Sequence, residues 1–190
     1  MRAALLFLGL LAWGSPALAL DPAPAKKLPD AELEAKMCAF SPCQRDVRVT
    51  LKREDGSVFD HVFEALPGAV QAGALVIYGG QTLYFEAEVV DGLLANIKVV
   101  ERVLSPSKTI TAKFEQLAEG GMSLSLHNPL ASDLKFDMMI MSFKSERLYP
   151  TSSCTLVAGK SLFEHWPEPL FQVLLFRGRA VKASNSVTCS

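Results

Sequence analysis

Apolar and polar residues alternate along most of the chain after position 46, and a period of two predicts β-strands. The clearest run is 47–52, where Val47, Val49 and Leu51 alternate with polar residues. Comparable runs predict strands at 58–63, 75–78, 82–90, 93–101, 109–114, 122–127, 134–142, 154–158, 170–176 and 179–182. The pattern therefore predicts about eleven short strands.

One helix is expected before the first strand. Asp30 can cap the run 31–37, and Glu32 and Glu34 lie in the first turn, where carboxylates interact favourably with the helix dipole. No long helix is expected between strands, which disfavours a parallel α/β fold. The sequence predicts an all-β antiparallel β-sandwich, immunoglobulin-like in its C-terminal half, with one short N-terminal helix.

Two Asp-Gly pairs predict tight hairpins, at Asp55-Gly56 and Asp91-Gly92. For the first hairpin we expect a three-residue loop from Asp55 to Ser57, which places Leu51 opposite His61. A two-residue loop would instead place Leu51 opposite Asp60, and matching of apolar side chains favours the longer loop.

The predicted strands are assigned to a single domain over 29–190. Ser105 begins the clearest interruption, Ser-Pro-Ser, and the alternative is a split there into two small β domains. We favour one domain because the residues before Ser105 would form a thin core by themselves.

The first 19 residues have the plan of a secretory signal peptide. Arg2 supplies a positive start, 3–13 is apolar, and the small residues Ala17 and Ala19 form a cleavage site. The apolar run is too short to span a membrane, so we expect cleavage after Ala19, a flexible lead-in at 20–28, and a periplasmic or secreted protein without a membrane span.

Export favours disulfide formation by the four cysteines. Three pairings are possible. Cys38 and Cys43 lie five residues apart, and Cys154 and Cys189 both belong to the last third of the chain. We therefore predict the bridges Cys38–Cys43 and Cys154–Cys189.

Composition narrows the functional classes. With 49% hydrophobic residues in 190, the chain is not disordered. The formal net charge is −1, from 19 basic and 20 acidic residues, so a broad nucleic-acid interface is not expected.

Catalytic motifs are missing from the sequence. The mature chain has three histidines, His61, His127 and His165, and none lies in a recognised hydrolase, metal or nucleotide motif. This argues against an enzyme, and no catalytic residue or cofactor is assigned. An envelope hydrolase with a dispersed histidine site stays open as an alternative, because triad members can come from anywhere in a chain.

Met139 and Met141 share one face of the strand predicted at 134–142, and thioethers are ligands for Cu(I). Periplasmic copper handling is therefore a second alternative. Gap-filling in the core or a contact between sheets is the commoner role of such methionines, so no metal ligand is assigned.

The best binding candidate is the segment 164–169, Glu-His-Trp-Pro-Glu-Pro, which we interpret as a rigid connection between strands. Its candidate binding residues are Glu164, His165, Trp166 and Glu168, with Trp166 available for stacking on a sugar or a peptide. Alternatively, Trp166 folds back and fills the end of the core.

The function expected from the sequence is that of an exported, non-catalytic binding protein. Its partner is expected to be a protein or a cell-envelope polymer, and the sequence by itself does not choose between them.

Overall fold

The computed structural model describes residues 30–39, 41–145, 147–183 and 187–190. The predicted signal peptide and the lead-in at 20–28 lie outside these residues. The described chain contains the helix α1 (Asp30–Cys38) and the strands β1 (Gln44–Lys52), β2 (Val58–Leu66), β3 (Val70–Gln71), β4 (Ala74–Tyr78), β5 (Thr82–Val90), β6 (Leu93–Val100), β7 (Thr109–Gln116), β8 (Met122–His127), β9 (Asp133–Ser142), β10 (Tyr149–Thr151), β11 (Ser161–Trp166) and β12 (Leu170–Val181).

The strands form a two-stranded sheet, β1–β2, and a ten-stranded sheet in the order β10-β9-β12-β6-β5-β7-β8-β11, with β4 pairing to β12 and β3. Neighbours are antiparallel. The prediction of an antiparallel all-β chain with almost no helix is confirmed.

The large sheet consists of two halves. β12 meets β6 through one residue pair, Arg179 with Leu93, whereas pairing within each half is extensive. Side chains from both halves belong to one buried cluster, with Phe85 and Phe114 from one half and Phe136 and Val173 from the other. A core shared by two sheet halves is consistent with a β-sandwich.

The β1–β2 hairpin packs mainly against the half that contains β4 and β12, and it also contacts β7 of the other half. Val49 and Leu51 are buried, and Leu51 approaches Gly79 so closely that a Cβ there would lie 2.7 Å from Leu51 Cδ1. The side chain of Gln116 binds both the N–H and the carbonyl of Lys52 at 2.7 Å. A side chain at position 79 would therefore require Leu51 to change its position.

The predicted register of this hairpin is wrong. Leu51 lies opposite Phe59, and His61 lies opposite Val49. Arg53 N donates to Ser57 O at 2.8 Å and Gly56 N donates to Arg53 O at 3.0 Å, so the three-residue loop runs from 54 to 56. Gly56 takes a φ of 85°, the left-handed residue that follows the turn in such loops.

Three predicted strands at the C-terminal end also need correction. Residues 154–158 form isolated bridges, Cys154 with Cys189 and Leu134 with Leu156, rather than a strand. The strands predicted at 170–176 and 179–182 are one strand, β12, with an irregularity between Phe176 and Arg179. The sequence did not predict β3 and β10, because strands of two and three residues are too short to show an alternation of apolar and polar residues.

Both predicted disulfides are present, Cys38–Cys43 at the C-terminal end of α1 and Cys154–Cys189 at the C-terminus. The second holds the tail against 153–155, where Ser153 and Ser190 exchange backbone hydrogen bonds of 3.0 Å. Within the described residues, no helix has the length and apolar character needed to cross a membrane.

Candidate functional site

The first half of the predicted binding segment 164–169 belongs to a strand, whereas the sequence predicted a connection between strands. Glu164, His165 and Trp166 lie on β11, which pairs with β8 from Ser161 to Trp166. Successive side chains of a strand point to opposite faces, so His165 is separated from Glu164 and Trp166. The structure therefore does not bring the four predicted residues together.

Trp166 lies on the face of β11 that meets the core. Its ring packs edge-on against Phe114, with 6.1 Å between the centroids, and its Nε1 donates to Thr151 Oγ1 at 3.3 Å. The side chain is partly buried against the core cluster. These contacts are those of a residue that fills the end of the core.

Glu164 lies on the same face and accepts a hydrogen bond of 2.9 Å from Cys154 N. Close by, the ammonium of Lys135 donates to Ser153 O and to Thr188 O, although the residue is only 7% exposed. Burial, and then the charge of Arg179, hold the pKa of Lys135 below its usual value. Glu164 therefore binds the backbone at the second disulfide.

Glu168 lies beyond β11, in a cleft at the end of the hairpin. Its carboxylate is 3.9 Å from Lys144 Nζ, which also binds Glu54 at 2.7 Å. The cleft has a volume of about 400 Å³, and Phe143 and Pro169 contribute to its apolar lining. Lys144 therefore bridges two carboxylates from separate parts of the chain.

His165 lies on the outer face of the sheet, together with a set of hydroxyl side chains. The register of β8 with β11 places Phe163 beside Ser125, His165 beside Ser123, and Ser161 beside His127. We call these six residues the hydroxyl face. Phe163 is 62% exposed, and His127, Ser161 and His165 are exposed as well, whereas Ser123 is buried.

The same outer surface continues onto β7 and β5. Thr111 lies beside His127, Lys113 beside Ser125, and Tyr84 beside Thr111. Lys113 is neutralised by Glu115 at 2.7 Å, and Tyr84 supplies a second partly exposed ring. The surface therefore combines aromatic rings, hydroxyl groups and paired charges.

Both histidines of the hydroxyl face contact a serine. His127 Nδ1 lies 3.2 Å from Ser161 Oγ, and His165 Nε2 lies 3.4 Å from Ser123 Oγ. A nucleophile–base pair needs a third group that orients the imidazole, and no described hydrogen bond joins either ring to a carboxylate. Among the described residues, neither histidine–serine pair is completed into a triad by a hydrogen-bonded carboxylate.

The remaining candidates lie elsewhere in the molecule. His61 stacks edge-on with Phe63 at 4.5 Å, on the hairpin. Met141 contributes to a cleft with Phe59, and Met139 pairs with Leu174 of β12. Among the described residues, no group of three or more His, Cys, Asp or Glu side chains could hold a metal ion.

Sequence reasoning missed Phe163 and the serines around it. The structure shows the alternation of a half-buried strand here, because the side chains at 161, 163 and 165 are exposed and those at 162, 164 and 166 are partly buried. The sequence does not show this alternation clearly, because Phe163 is apolar but exposed and Glu164 is charged but lies on the inner face.

Comparison with family models, curated proteins and solved structures finds no match to this chain. Functional inference therefore depends on the site itself.

Proposed function

We propose that this chain is an exported, non-catalytic protein that binds a neutral glycan of the cell envelope through the hydroxyl face. The observation that carries the proposal is the exposed side chain of Phe163 on the outer face of the sheet, beside Ser125, Ser161 and two exposed imidazoles. We also propose that the chain is exported after cleavage beyond Ala19. The proposal keeps an immunoglobulin-like C-terminal half. The two disulfides support export.

The chemistry of the face suits a sugar polymer. Hydroxyl side chains both donate and accept hydrogen bonds, as sugar hydroxyls do. An exposed phenyl ring can pack against the apolar C–H face of a sugar ring. Three strand spacings, about 14 Å, and two residues along the strands, about 7 Å, separate Phe163 from Tyr84, so the two rings would contact different units of one chain.

A protein partner fits this surface less well. The cores of protein interfaces are enriched in aromatic residues, methionine and arginine, and they are depleted in serine and lysine. The hydroxyl face has one aromatic residue and three serines. Neutral ligands are favoured over charged ones because Lys113 already forms an ion pair with Glu115.

The test is affinity electrophoresis of the protein in gels that contain peptidoglycan fragments, a soluble β-glucan or dextran. We expect retardation by at least one glycan, and a loss of about tenfold or more in affinity for Phe163→Ala. Val58→Ala is the matched control, since Val58 is 64% exposed on the hairpin. Equal retardation of the wild type and of Phe163→Ala, or no retardation by any glycan, would refute the proposal.

The hydrolase and copper alternatives are separated by direct assays. A serine hydrolase would be labelled by a fluorophosphonate probe and would lose the label in Ser123→Ala or Ser161→Ala. A copper-handling protein would lose Cu(I) affinity when Met139 and Met141 are replaced by Leu. We expect neither labelling nor a change in Cu(I) affinity.

A further inference from the structure

A cleft of about 530 Å³ lies beside the single residue pair that joins the two halves of the large sheet, Arg179 with Leu93. The turn at 72–73, between β3 and β4, forms another part of its wall. The charged residues in its lining are Arg177, Arg179 and Asp137. The hydroxyl face contributes no residue to this lining, so the cleft is a separate candidate site.

The backbone of β12 is strained at the edge of this cleft. The pairing of β12 with β9 is irregular between Phe176 and Arg179, and within this bulge Arg177 takes a φ of 48°. Glycine adopts the left-handed region readily, whereas other residues do so at an energetic cost. The neighbouring Gly178 does not take it, and lies instead where an added Cβ would be 2.7 Å from Leu94 Cδ1. The strain therefore falls on an arginine, and strained residues concentrate at binding and catalytic sites.

Asp137 holds the two guanidinium groups side by side. Arg179 Nη1 donates to Asp137 Oδ1 at 2.9 Å, and Arg177 Nη1 donates to Asp137 Oδ2 at 3.4 Å. The hydrogen bond from Arg179 holds the pKa of Asp137 below its usual value, so the carboxylate is ionised at neutral pH. The Arg177 guanidinium also lies over the ring of Phe176, 5.6 Å from its centroid. Within the described chain no acceptor binds Nε or Nη2 of either arginine, so both keep N–H donors for a ligand.

The charges around the cleft leave an excess of one positive charge. Its lining holds two arginines and one aspartate. Lys135 lies beside Arg179 in the register of β9 and β12, and Glu164 is close enough to offset its charge. One carboxylate group would neutralise this excess, and a guanidinium matches the planar geometry of a carboxylate. A phosphate monoester carries about two negative charges at pH 7, so it would leave the site negative.

Apolar side chains lie next to the arginines. Leu93 is the Cα partner of Arg179, so their side chains lie on the same face, and Leu93 is 57% exposed. Leu94 also lines the cleft and is partly buried. An apolar wall with a small number of charged groups suits a ligand that is apolar at one end and anionic at the other.

We propose that this cleft binds a small aliphatic carboxylic acid, with its carboxylate on Arg177 and Arg179 and its aliphatic chain on Leu93. Asp137 positions the two guanidinium groups, and the bulge in β12 directs Arg177 to the cleft. The ligand is a monoanion because the site has one excess positive charge. The proposal does not depend on glycan binding, since the two sites share no residue.

The probe is sodium hexanoate, titrated into the full, isotope-labelled protein while the amide chemical shifts are followed by NMR. We expect saturable shifts at residues 93–94 and 177–179. Three matched compounds should bind more weakly. Acetate lacks the aliphatic chain, 1-hexanol lacks the charge, and hexyl phosphate carries a second charge.

Arg179→Gln should reduce the affinity for hexanoate about tenfold or more, because it removes a charge-assisted hydrogen-bonding partner of the carboxylate. Arg102→Gln is the matched control. It makes the same change of charge at an exposed arginine outside the cleft, so it should bind hexanoate as the wild type does.

Arg177→Gly separates binding from stability. Glycine accepts the left-handed conformation at this position, and an exposed ion pair with Asp137 contributes little, so the melting temperature should not fall. Hexanoate affinity should still fall about tenfold or more. An arginine with a purely structural role would give the opposite result, a lower melting temperature with unchanged affinity.

Several outcomes would overturn the proposal. These are no saturable shift at the cleft, binding of acetate, 1-hexanol or hexyl phosphate as tight as that of hexanoate, or unchanged affinity in Arg177→Gly or Arg179→Gln. Phe163→Ala should bind hexanoate as the wild type does. Failure of this proposal and failure of the glycan proposal can therefore be distinguished.

Discussion

At the residue scale, Tyr78 shows what burial of an unpaired hydroxyl costs. It is fully buried on β4, its ring lies 5.5 Å from that of Phe171, and its hydroxyl has no hydrogen-bond partner among the described residues. Burial raises the pKa of this phenol, so it stays neutral. An unpaired buried hydroxyl costs about 1–3 kcal/mol of desolvation, which the contacts of the ring must offset.

Tyr78→Phe is therefore expected to leave the free energy of unfolding unchanged or to raise it by up to about 1 kcal/mol. Urea unfolding monitored by circular dichroism measures this difference. Tyr84→Phe, on the partly exposed outer surface, is the control and should change stability by less than about 0.5 kcal/mol. A clear loss of stability in Tyr78→Phe would mean that the hydroxyl has a partner.

Trp166 provides a second residue-scale prediction. Because the indole packs on Phe114 and donates to Thr151 but is only partly buried, Trp166→Ala should destabilise the protein by about 1–3 kcal/mol, below the range of about 3–5 kcal/mol for emptying a fully buried aromatic site. Trp166→Phe keeps most of the packing and should cost less. If urea unfolding shows that the free energy of unfolding of Trp166→Ala lies within about 0.5 kcal/mol of the wild-type value, Trp166 does not stabilise the core and is again a candidate binding residue.

At the scale of elements, the hairpin depends on contacts that sequence alone does not reveal. Its inner face packs on Gly79, the last residue of β1 is held by the Gln116 side chain, and Arg48 links the two strands through Asp60. The strands themselves are local features, whereas these three contacts join residues that are distant in the chain or lie across the hairpin. The hairpin's position is therefore more sensitive to single substitutions than its existence is.

Gly79→Ala should force the Leu51 side chain to move, because the new Cβ would lie 2.7 Å from Leu51 Cδ1 and 3.3 Å from Leu170 O. We expect a loss of about 1–3 kcal/mol in the free energy of unfolding, the usual cost of overpacking. The double variant Gly79→Ala/Leu51→Ala makes room for the methyl group, so its loss should be smaller than the sum of the two single losses. Strict additivity in this cycle would show that the two residues do not meet.

Asp60 should make hairpin stability dependent on acid pH. Arg48 and then Thr50 bind its carboxylate and hold its pKa well below the usual range. The stabilisation is therefore complete above the unfolded pKa of about 4 and is lost as the pH falls through the folded value.

Asp60→Asn should lower the melting temperature at pH 7 and should differ less from the wild type as the pH falls below about 4. Arg48→Gln removes the other partner and should also lower the melting temperature at pH 7. Calorimetry over this pH range tests the assignment. A difference that stays constant down to the lowest pH would contradict it.

For the whole molecule, the C-terminal disulfide closes a much longer loop than the N-terminal one. Cys154–Cys189 spans 35 residues and Cys38–Cys43 spans five. In the chain-entropy account these correspond to about 4 and about 2 kcal/mol of stability. The longer bridge also holds the tail over the buried ammonium of Lys135, which donates to Thr188 O.

Replacing Cys154 and Cys189 by serine should therefore reduce the free energy of unfolding more than replacing Cys38 and Cys43. The single buried cluster, which takes side chains from both sides of Ser105, leads us to expect one unfolding transition in either variant. Urea unfolding followed by circular dichroism measures both quantities. A larger loss in the N-terminal variant would contradict the loop-length argument.

The sequence by itself determined the features that local chemistry controls. Period-two alternation predicted β5 and β8 at their observed bounds, Asp91-Gly92 predicted the tight turn between β5 and β6, and cysteine spacing predicted both disulfides. Each of these depends on residues that are close in the chain or on a small number of possible pairings.

Tertiary structure alone decided the register of the first hairpin, the role of β11 and the position of the candidate sites. The Arg53–Ser57 pair at the turn sets a register in which Leu51 lies opposite Phe59 and not opposite His61. Residues 161–166 form a strand because they pair with β8. On that strand Trp166 faces the core and His165 faces outward beside Phe163. Which face of a strand is buried depends on the neighbours that pack on it, and those neighbours come from distant parts of the chain.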